Sequence, residues 1–297
     1  MSLVATLVCR PTVPKLDVDV LAKAAGALGS PEAPRVLSEG VAADLAVPSA
    51  LSTAEARSRI VSALEDLPVD VFVQPQAGRR KRLLIADMDS TMIRQECIDE
   101  LAAELGLKEQ ISEITERAMR GEIDFEPALK ERVGLLKGLS IGQVENVLNS
   151  RIQLMPGGRT LVQTMKANGA YCALVSGGFT RFTGPVAAMI GFNENQANVL
   201  LEADGKLTGE VQMPILGREA KRERLLQLIE EKGLTASQTM AVGDGANDLA
   251  MLESAGLGVA YRAKPAVAEA ADARVDHGDL TALLYIQGYS EDEFVLS

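Results

Sequence analysis

The chain has 297 residues, 47% of them apolar, with a formal charge of −11, one histidine and three cysteines. That length holds one large domain or two ordinary ones with ample core material. The acidity argues against a sequence-independent nucleic-acid binder, because most faces would repel a phosphate backbone. The lone His277 leaves too little for a histidine nucleophile site or a multi-histidine metal site; lying in VDHGDL near an expected helix start, it reads as a solvated turn residue. No run of about 18 apolar residues is present. The opening MSLVATLVCRPTVPK lacks the basic start and long apolar middle of a signal peptide, so no membrane association and a cytoplasmic location are expected. Cys9, Cys97 and Cys172 are odd in number and far apart; two lie in apolar surroundings and read as buried thiols, and no disulfide framework or zinc cluster is indicated.

In chain order, the first 75 or so residues alternate as strand (SLVATLVCR), helix (DVDVLAKAAGAL), two strands (PRVLSEG and VAADLAV), helix (STAEARSRIVSALED) and strand (VDVFVQP). This βαββαβ order is the ferredoxin-like split unit. A polar, basic link, QAGRRKR, follows, so a first domain over 1–78 and a second over 79–297 are expected. The second opens with a strand to Asp89 and continues in a helix-rich stretch, a candidate cap at about 95–154. After it come a helix (GGRTLVQTMKANG), a strand ending in glycines (AYCALVSGG), a helix (REAKRERLLQLIEEKG) and a strand, turn and helix (TMAVGDGANDLAML). Repeated βα units predict a parallel sheet with helices on both faces. NVLLEADGKLTGEVQ places two β-rich runs around Asp-Gly, a tight hairpin expected to decorate the sheet edge.

Loops at the carboxyl ends of parallel strands meet in one crevice, so Asp87/Asp89, Ser176/Gly177 and Asp244/Asn247/Asp248 are expected to converge. Two carboxylates at i and i+2 after a strand, with further acids at another strand end, are hard oxygen ligands of the kind Mg²⁺ prefers. One aspartate as nucleophile beside another as acid/base can move a phosphoryl group to protein and then to water; Asp87 is the candidate nucleophile and Asp89 the acid/base. The phosphoryl oxygens need donors and positive charge: the Ser176 hydroxyl, the close backbone approach that Gly177 permits, and the Lys221 ammonium. Asp244 would complete the metal shell, with Asp248 orienting it or Lys221. Helix capping is an equally good local reason for Asn247 and Asp248, and the two roles are compatible.

DMDST, VSGG, the spaced lysine and GDGAND resemble, in order, the four signatures of the haloacid-dehalogenase superfamily of phosphatases, over roughly residues 80 to 290. Within it, DSTMIRQECIDE is similar to the phosphoserine phosphatase pattern. The resemblance implies an α/β fold with a HAD-like Rossmannoid parallel sheet, a helical cap inserted after the first strand, and hydrolysis of O-phospho-L-serine through a phosphoaspartyl intermediate. It implies Mg²⁺ on the Asp87 carboxylate, the Asp89 main-chain oxygen and Asp244. It also implies substrate contacts at Glu96 (ammonium), Arg132 (carboxylate), Ser176, Gly177, Lys221 and Asn247, with Asp248 supporting. The acid-then-base cycle needs Asp89 protonated when substrate binds. The cap stretch MRGEIDFEPA is the expected moving element. The N-terminal unit is similar to ACT domains, implying an amino-acid-sensing, structural or homodimerising role. Phosphohomoserine is a rival substrate. A vestigial amino-acid-binding protein is a rival of another class, which would require a missing catalytic residue.

Overall fold

The computed structural model describes residues 2–65, 67–119 and 122–296. The N-terminal part runs β1 (Leu3–Cys9), α1 (Val18–Leu28), β2 (Arg35–Ser38), β3 (Ala42–Val47), α2 (Thr53–Ala63) and β4 (Val69–Pro75). Local chemistry sets the helix ends: the Asp17 carboxylate accepts from Val20 N–H, Gly29 closes α1 in a left-handed conformation, and Ser52 and Glu55 cap the start of α2 reciprocally. The strands form an antiparallel sheet in the order β2-β3-β1-β4.

β5 (Leu83–Ala86) starts the second sheet. Then come α3 (Cys97–Glu104), α4 (Lys108–Met119), α5 (Phe125–Leu135), α6 (Ile141–Ser150), α7 (Gly158–Ala167), β6 (Tyr171–Phe179), α8 (Thr180–Ile190) and β7 (Glu194–Asn198). The chain ends with β8 (Leu200–Ala203), β9 (Lys206–Val211), α9 (Arg218–Glu231), β10 (Thr239–Gly243), α10 (Leu249–Ser254), β11 (Gly258–Tyr261), α11 (Pro265–Ala270), β12 (Ala273–Val275) and α12 (Ala282–Ile286). The sheet order is β12-β11-β10-β5-β6-β7, with every neighbouring pair parallel. This is the expected α/β architecture. β5 lies between β10 and β6, so the strands carrying the three acid and glycine motifs are adjacent, and the chain leaves β5 in one direction and returns on its other side. That is a topological switch point, where a crevice opens beyond the strand ends.

Helices α3 to α6 stand between β5 and β6 in the chain and pack on one another. Of the stretch expected to move, Arg120 and Gly121 lie outside the described residues. The hairpin expected on the sheet edge is elsewhere: β8 and β9 form a two-stranded sheet of their own against the helices. Its Asp204 and Gly205, at φ 51° and 72°, make the tight turn. Gly138 N–H donates to Leu207 O (2.9 Å), Leu207 N–H to Leu139 O (2.8 Å), and Ile141 N–H to Gly205 O (3.0 Å). The α5–α6 loop offers unpaired backbone groups, and these capture the hairpin.

The link QAGRRKR is not a solvated tether. Arg79 and Lys81 are buried. Arg79 donates both terminal nitrogens to Asp44 (3.1 and 2.6 Å), which also accepts from the Thr6 hydroxyl (2.7 Å). One face of the first sheet is covered by α1 and α2; the other contributes Val8, Val41 and Phe72 to the same core as Leu284 and Tyr285. His277 is half-buried there, because the carboxylate of Asp70 on β4 accepts the backbone N–H groups of Asp276, His277 and Gly278. All three cysteines are free and buried. No described helix is long and apolar enough to cross a membrane.

Candidate active site

β5 is apolar and buried at every position because it is flanked by strands and covered on both faces. Just past its end, Asp87 N–H still donates to Val242 O (3.0 Å), which holds the Asp87 side chain at the strand mouth. The next turn wraps around one carbonyl: Met88 O accepts from Met92 N–H (2.8 Å) and Ile93 N–H (3.0 Å), with Ser90 at φ 56°. This turn presents Asp89 toward the start of α3, where its Oδ1 accepts from Cys97 N–H (3.3 Å), and lets the Ser90 hydroxyl donate to Glu96 (2.6 Å).

Lys221, on α9, is fully buried and bridges Asp87 Oδ1 and Asp248 Oδ1, each at 2.7 Å. Asp248 Oδ2 accepts from Asp244 N–H (3.2 Å) and Gly245 N–H (3.1 Å), so it holds both the lysine and its own turn. Gly243 has to be glycine, since a Cβ there would collide with the Asp248 carboxylate. Asn247 is half-buried in this turn with its Oδ1 against Gly245. Ser176 is buried near the end of β6, and its Oγ accepts from Gly178 N–H (2.9 Å). A methyl group on Gly178 would fall 2.9 Å from Asp89 Oδ2 and 3.1 Å from Ser176 Oγ, so β6 passes directly against the Asp89 carboxyl.

The three motif strands thus meet, as expected, and their charges are unbalanced. Burial, reinforced by Asp248, pushes Asp87 well above the usual carboxylate range against the pull of Lys221. Asp89 is pushed up to about 7 by burial and then by Glu96. Asp244 is also raised to about 7, by burial, Asp248 and Glu96. Burial works against the charge of Lys221, but Asp248 and Asp87 outweigh it and hold the ammonium above its ordinary value.

Residues 84–253 match the model of the haloacid dehalogenase-like hydrolases. The chain belongs to that family. This hydrolase is 42% identical to a phosphoserine phosphatase of Streptomyces coelicolor over 82% of its own length and 60% of the relative's, so it spans less than two thirds of that protein. Its structure is similar to that of a HAD family hydrolase from Salmonella enterica, with a TM-score of 0.86 and 32% identity over 98% of this chain and 99% of the other. It is also similar to a phospho-aspartyl intermediate analogue of phosphoserine phosphatase, at TM-score 0.65 and 40% identity over 69% of this chain and 98% of that one.

The hydrolase's donor set fits a divalent cation. Asp87, Asp244 and Asp248 each offer a carboxylate oxygen, all within 4.8 Å of one another. Asp248 is already engaged by Lys221 and two N–H groups, which leaves Asp87 and Asp244 as the carboxylates facing a cation. Two of these acids pair with one ammonium and the third has none, and surplus hard oxygen ligands are the kind a divalent cation takes.

Glu96 and Arg132 lie at the helical side of the crevice, each feeling the other's charge. Arg132 is held on α5 by donation from Nε to Ala128 O (3.2 Å) and from Nη1 to the Thr115 hydroxyl (3.4 Å). Several neighbours escaped the sequence reading. The Thr91 hydroxyl donates to Asp244 (3.2 Å), and the backbone N–H of Lys264 reaches Asp244 O (3.2 Å). The Phe125 ring rests on Gly177 and Gly217, where a Cβ would come within 3.5 and 3.3 Å of it. The threonine of DMDST and the glycine before α9 were visible signals; the phenylalanine had none.

Proposed function

We propose that this hydrolase cleaves O-phospho-L-serine to L-serine and phosphate, the final step of serine biosynthesis, with the chemistry on Asp87 and Asp89. The observation that carries the reading is the pairing of two sites of opposite kind in one crevice. The buried Asp87–Lys221–Asp248 array, with Ser176 beside it, is built for a phosphoryl group; Glu96 and Arg132 supply one acid and one guanidinium for an ammonium and a carboxylate.

In this reading an Asp87 carboxylate oxygen attacks phosphorus while Asp89 gives its proton to the departing serine oxygen. The P–O(serine) bond breaks and a phosphoaspartyl group remains. Asp89, now ionised, takes a proton from water, whose oxygen attacks phosphorus; phosphate leaves and the Asp87 carboxylate is restored. Lys221, the Ser176 hydroxyl, the Gly177 backbone and Asn247 hold the phosphoryl oxygens, and Asp248 keeps Lys221 aimed. Mg²⁺, when bound by Asp87, Asp244 and the Asp89 main-chain oxygen, would neutralise charge on those oxygens. Closure of the 95–154 helical segment as a cap would exclude water from the first half-reaction.

The division into a 1–78 ACT-like unit and a 79–297 phosphatase unit belongs to the same reading. Both faces of the first sheet are already covered, so a homodimer through it would use the outer strand β2, where Arg35 and Val36 are exposed. Three free thiols suit a reducing, cytoplasmic setting. The test is phosphate release from L-phosphoserine with Mg²⁺, beside phosphohomoserine and an aryl phosphate. Strong preference for phosphoserine, lost in Asp87→Asn and on chelation, supports the reading; equal or better use of another ester keeps the mechanism and removes the substrate.

A further inference from the structure

The phosphate-side loops are joined by a residue with no place in the reaction. β6 and β7 run in register to Val175, then slip, and pairing resumes only at Phe179 with Asn198. Ser176, Gly177 and Gly178 therefore bow out of the ladder, leaving the Gly177 carbonyl without a partner strand. Asn198, the last residue of β7 and 3% exposed, supplies one: its Nδ2 donates to Gly177 O (2.9 Å). The same nitrogen donates to Leu216 O (3.1 Å), while Oδ1 accepts from Leu216 N–H (2.7 Å). Both amide hydrogens and the oxygen are used, which fixes the side chain in one orientation.

Two consequences follow from the geometry. The peptide between Gly177 and Gly178 is gripped at both ends, its carbonyl by Asn198 and its N–H by Ser176 Oγ. Because Ser176 Oγ accepts there, its own proton is left for another partner. Leu216 lies five residues before Lys221, so the same amide ties the phosphate loop to the entry of the helix that carries the buried ammonium. Gly177 and Gly217, on which the Phe125 ring rests, belong to or adjoin the two clamped segments.

We propose that Asn198 is a positioning residue for the phosphoryl group, holding the Ser176–Gly178 bow and the start of α9 in one register so that the Ser176 hydroxyl and Lys221 address the same phosphate. This rests on the phosphatase reading above. The test compares Asn198→Leu, which keeps shape and removes every hydrogen bond, and Asn198→Ala with wild type and with Ile60→Ala, a cavity variant in the N-terminal core. Binding of inorganic phosphate in the presence of Mg²⁺ and binding of L-serine are measured by calorimetry, and kcat and KM on phosphoserine by phosphate release.

The expected result is phosphate affinity and kcat reduced about ten- to hundred-fold in both Asn198 variants, the scale on which supporting-shell residues act, with serine affinity held within about twofold. Ile60→Ala should lower Tm and leave both affinities alone. Wild-type phosphate affinity and kcat in the Asn198 variants, with only Tm lowered, would overturn the proposal. If Asn198→Ala does not fold, Asn198→Leu decides. A wild-type protein inactive on phosphoserine would sink the substrate reading, while the phosphate-binding comparison would still decide the role of Asn198.

Discussion

Two buried ionic arrangements, built from similar residues at similar depth, behave in opposite ways. At the junction of the two sheets, Arg79 meets Asp44 through two hydrogen bonds and Thr6 supplies another. One acid faces one guanidinium, and the group is electrically closed. In the crevice, Asp87 and Asp248 share Lys221, Asp244 lies beside them without pairing to it, and Asp89 stands nearby. That group is open: burial, with repulsion from Asp248 and Glu96, raises Asp87, Asp89 and Asp244. The difference teaches that burial of charge does not itself mark a functional site; surplus charge of one sign does. The junction is balanced by its own side chains, whereas in the proposed function the crevice would be completed by a cation and a phosphoryl group.

The largest effect should come from removing the proposed nucleophile. Asp87→Asn should lower phosphoserine turnover on the order of 10⁴-fold or more. Its Tm should not fall, because Lys221 keeps Asp248 and one raised acid disappears; a steady-state assay beside a thermal melt tests both halves. Asp44→Ala should do the reverse. It leaves Arg79 buried without its carboxylate, and breaking such a pair costs about 3–5 kcal/mol of stability. Urea unfolding would measure this, and kcat and KM at temperatures where the variant is folded should match wild type. If Asp44→Ala were stable but inactive, or Asp87→Asn active but unstable, the contrast between closed and open arrangements would be wrong.

The sequence makes these two arrangements unequally legible. The crevice could be read because its residues sit at fixed short spacings after strands: Asp87 and Asp89 beyond an apolar run, and Asp244 to Asp248 between glycines that the turn requires. Glu96 and Arg132 were reachable only through family resemblance, and Lys221 only as the positive charge the other motifs call for, since nothing beside them in the chain tells a bridging lysine or a half-buried arginine from a solvated one. The junction could not be read. Arg79 lies in a run of basic residues that has every local mark of an exposed link, and its partner Asp44 is 35 positions earlier. Asn198 looked like the start of a hairpin, and the hairpin's landing place against the α5–α6 loop depends on backbone groups that pattern does not report. Short-range spacing carries strand ends and turns; partners fixed by packing between distant segments leave little trace.

A cation should distinguish the two arrangements with a smaller effect. Mg²⁺ at about one hundred times its dissociation constant should stabilise the folded chain by about 2.7 kcal/mol through mass action. Asp244→Asn should lose most of that gain in a melt with and without the ion, and Asp44→Asn should keep it.

The smallest expected effect, taken group by group, is the one proton linkage produces in the metal-free protein. Burial holds Asp89 and Asp244 up at about 7 in the folded chain, against about 3.9 for an aspartate in an unfolded one. Between those values the folded chain binds protons that the unfolded chain does not, so this contribution is fully present below about 4 and is lost as pH rises through 7. Lowering pH from 8 to 6 in chelator should therefore raise stability by about 1.4 kcal/mol for each group held near 7. Saturating Mg²⁺ should cancel or invert that slope, since the ion requires the carboxylates ionised. Asp244→Asn should roughly halve it in chelator, leaving the share of Asp89, and Asp44→Asn should leave it intact. A metal-free stability that fell from pH 8 to 6, with Asp244→Asn behaving like wild type, would mean that the crevice acids are not held in surplus and that the site is as closed as the junction.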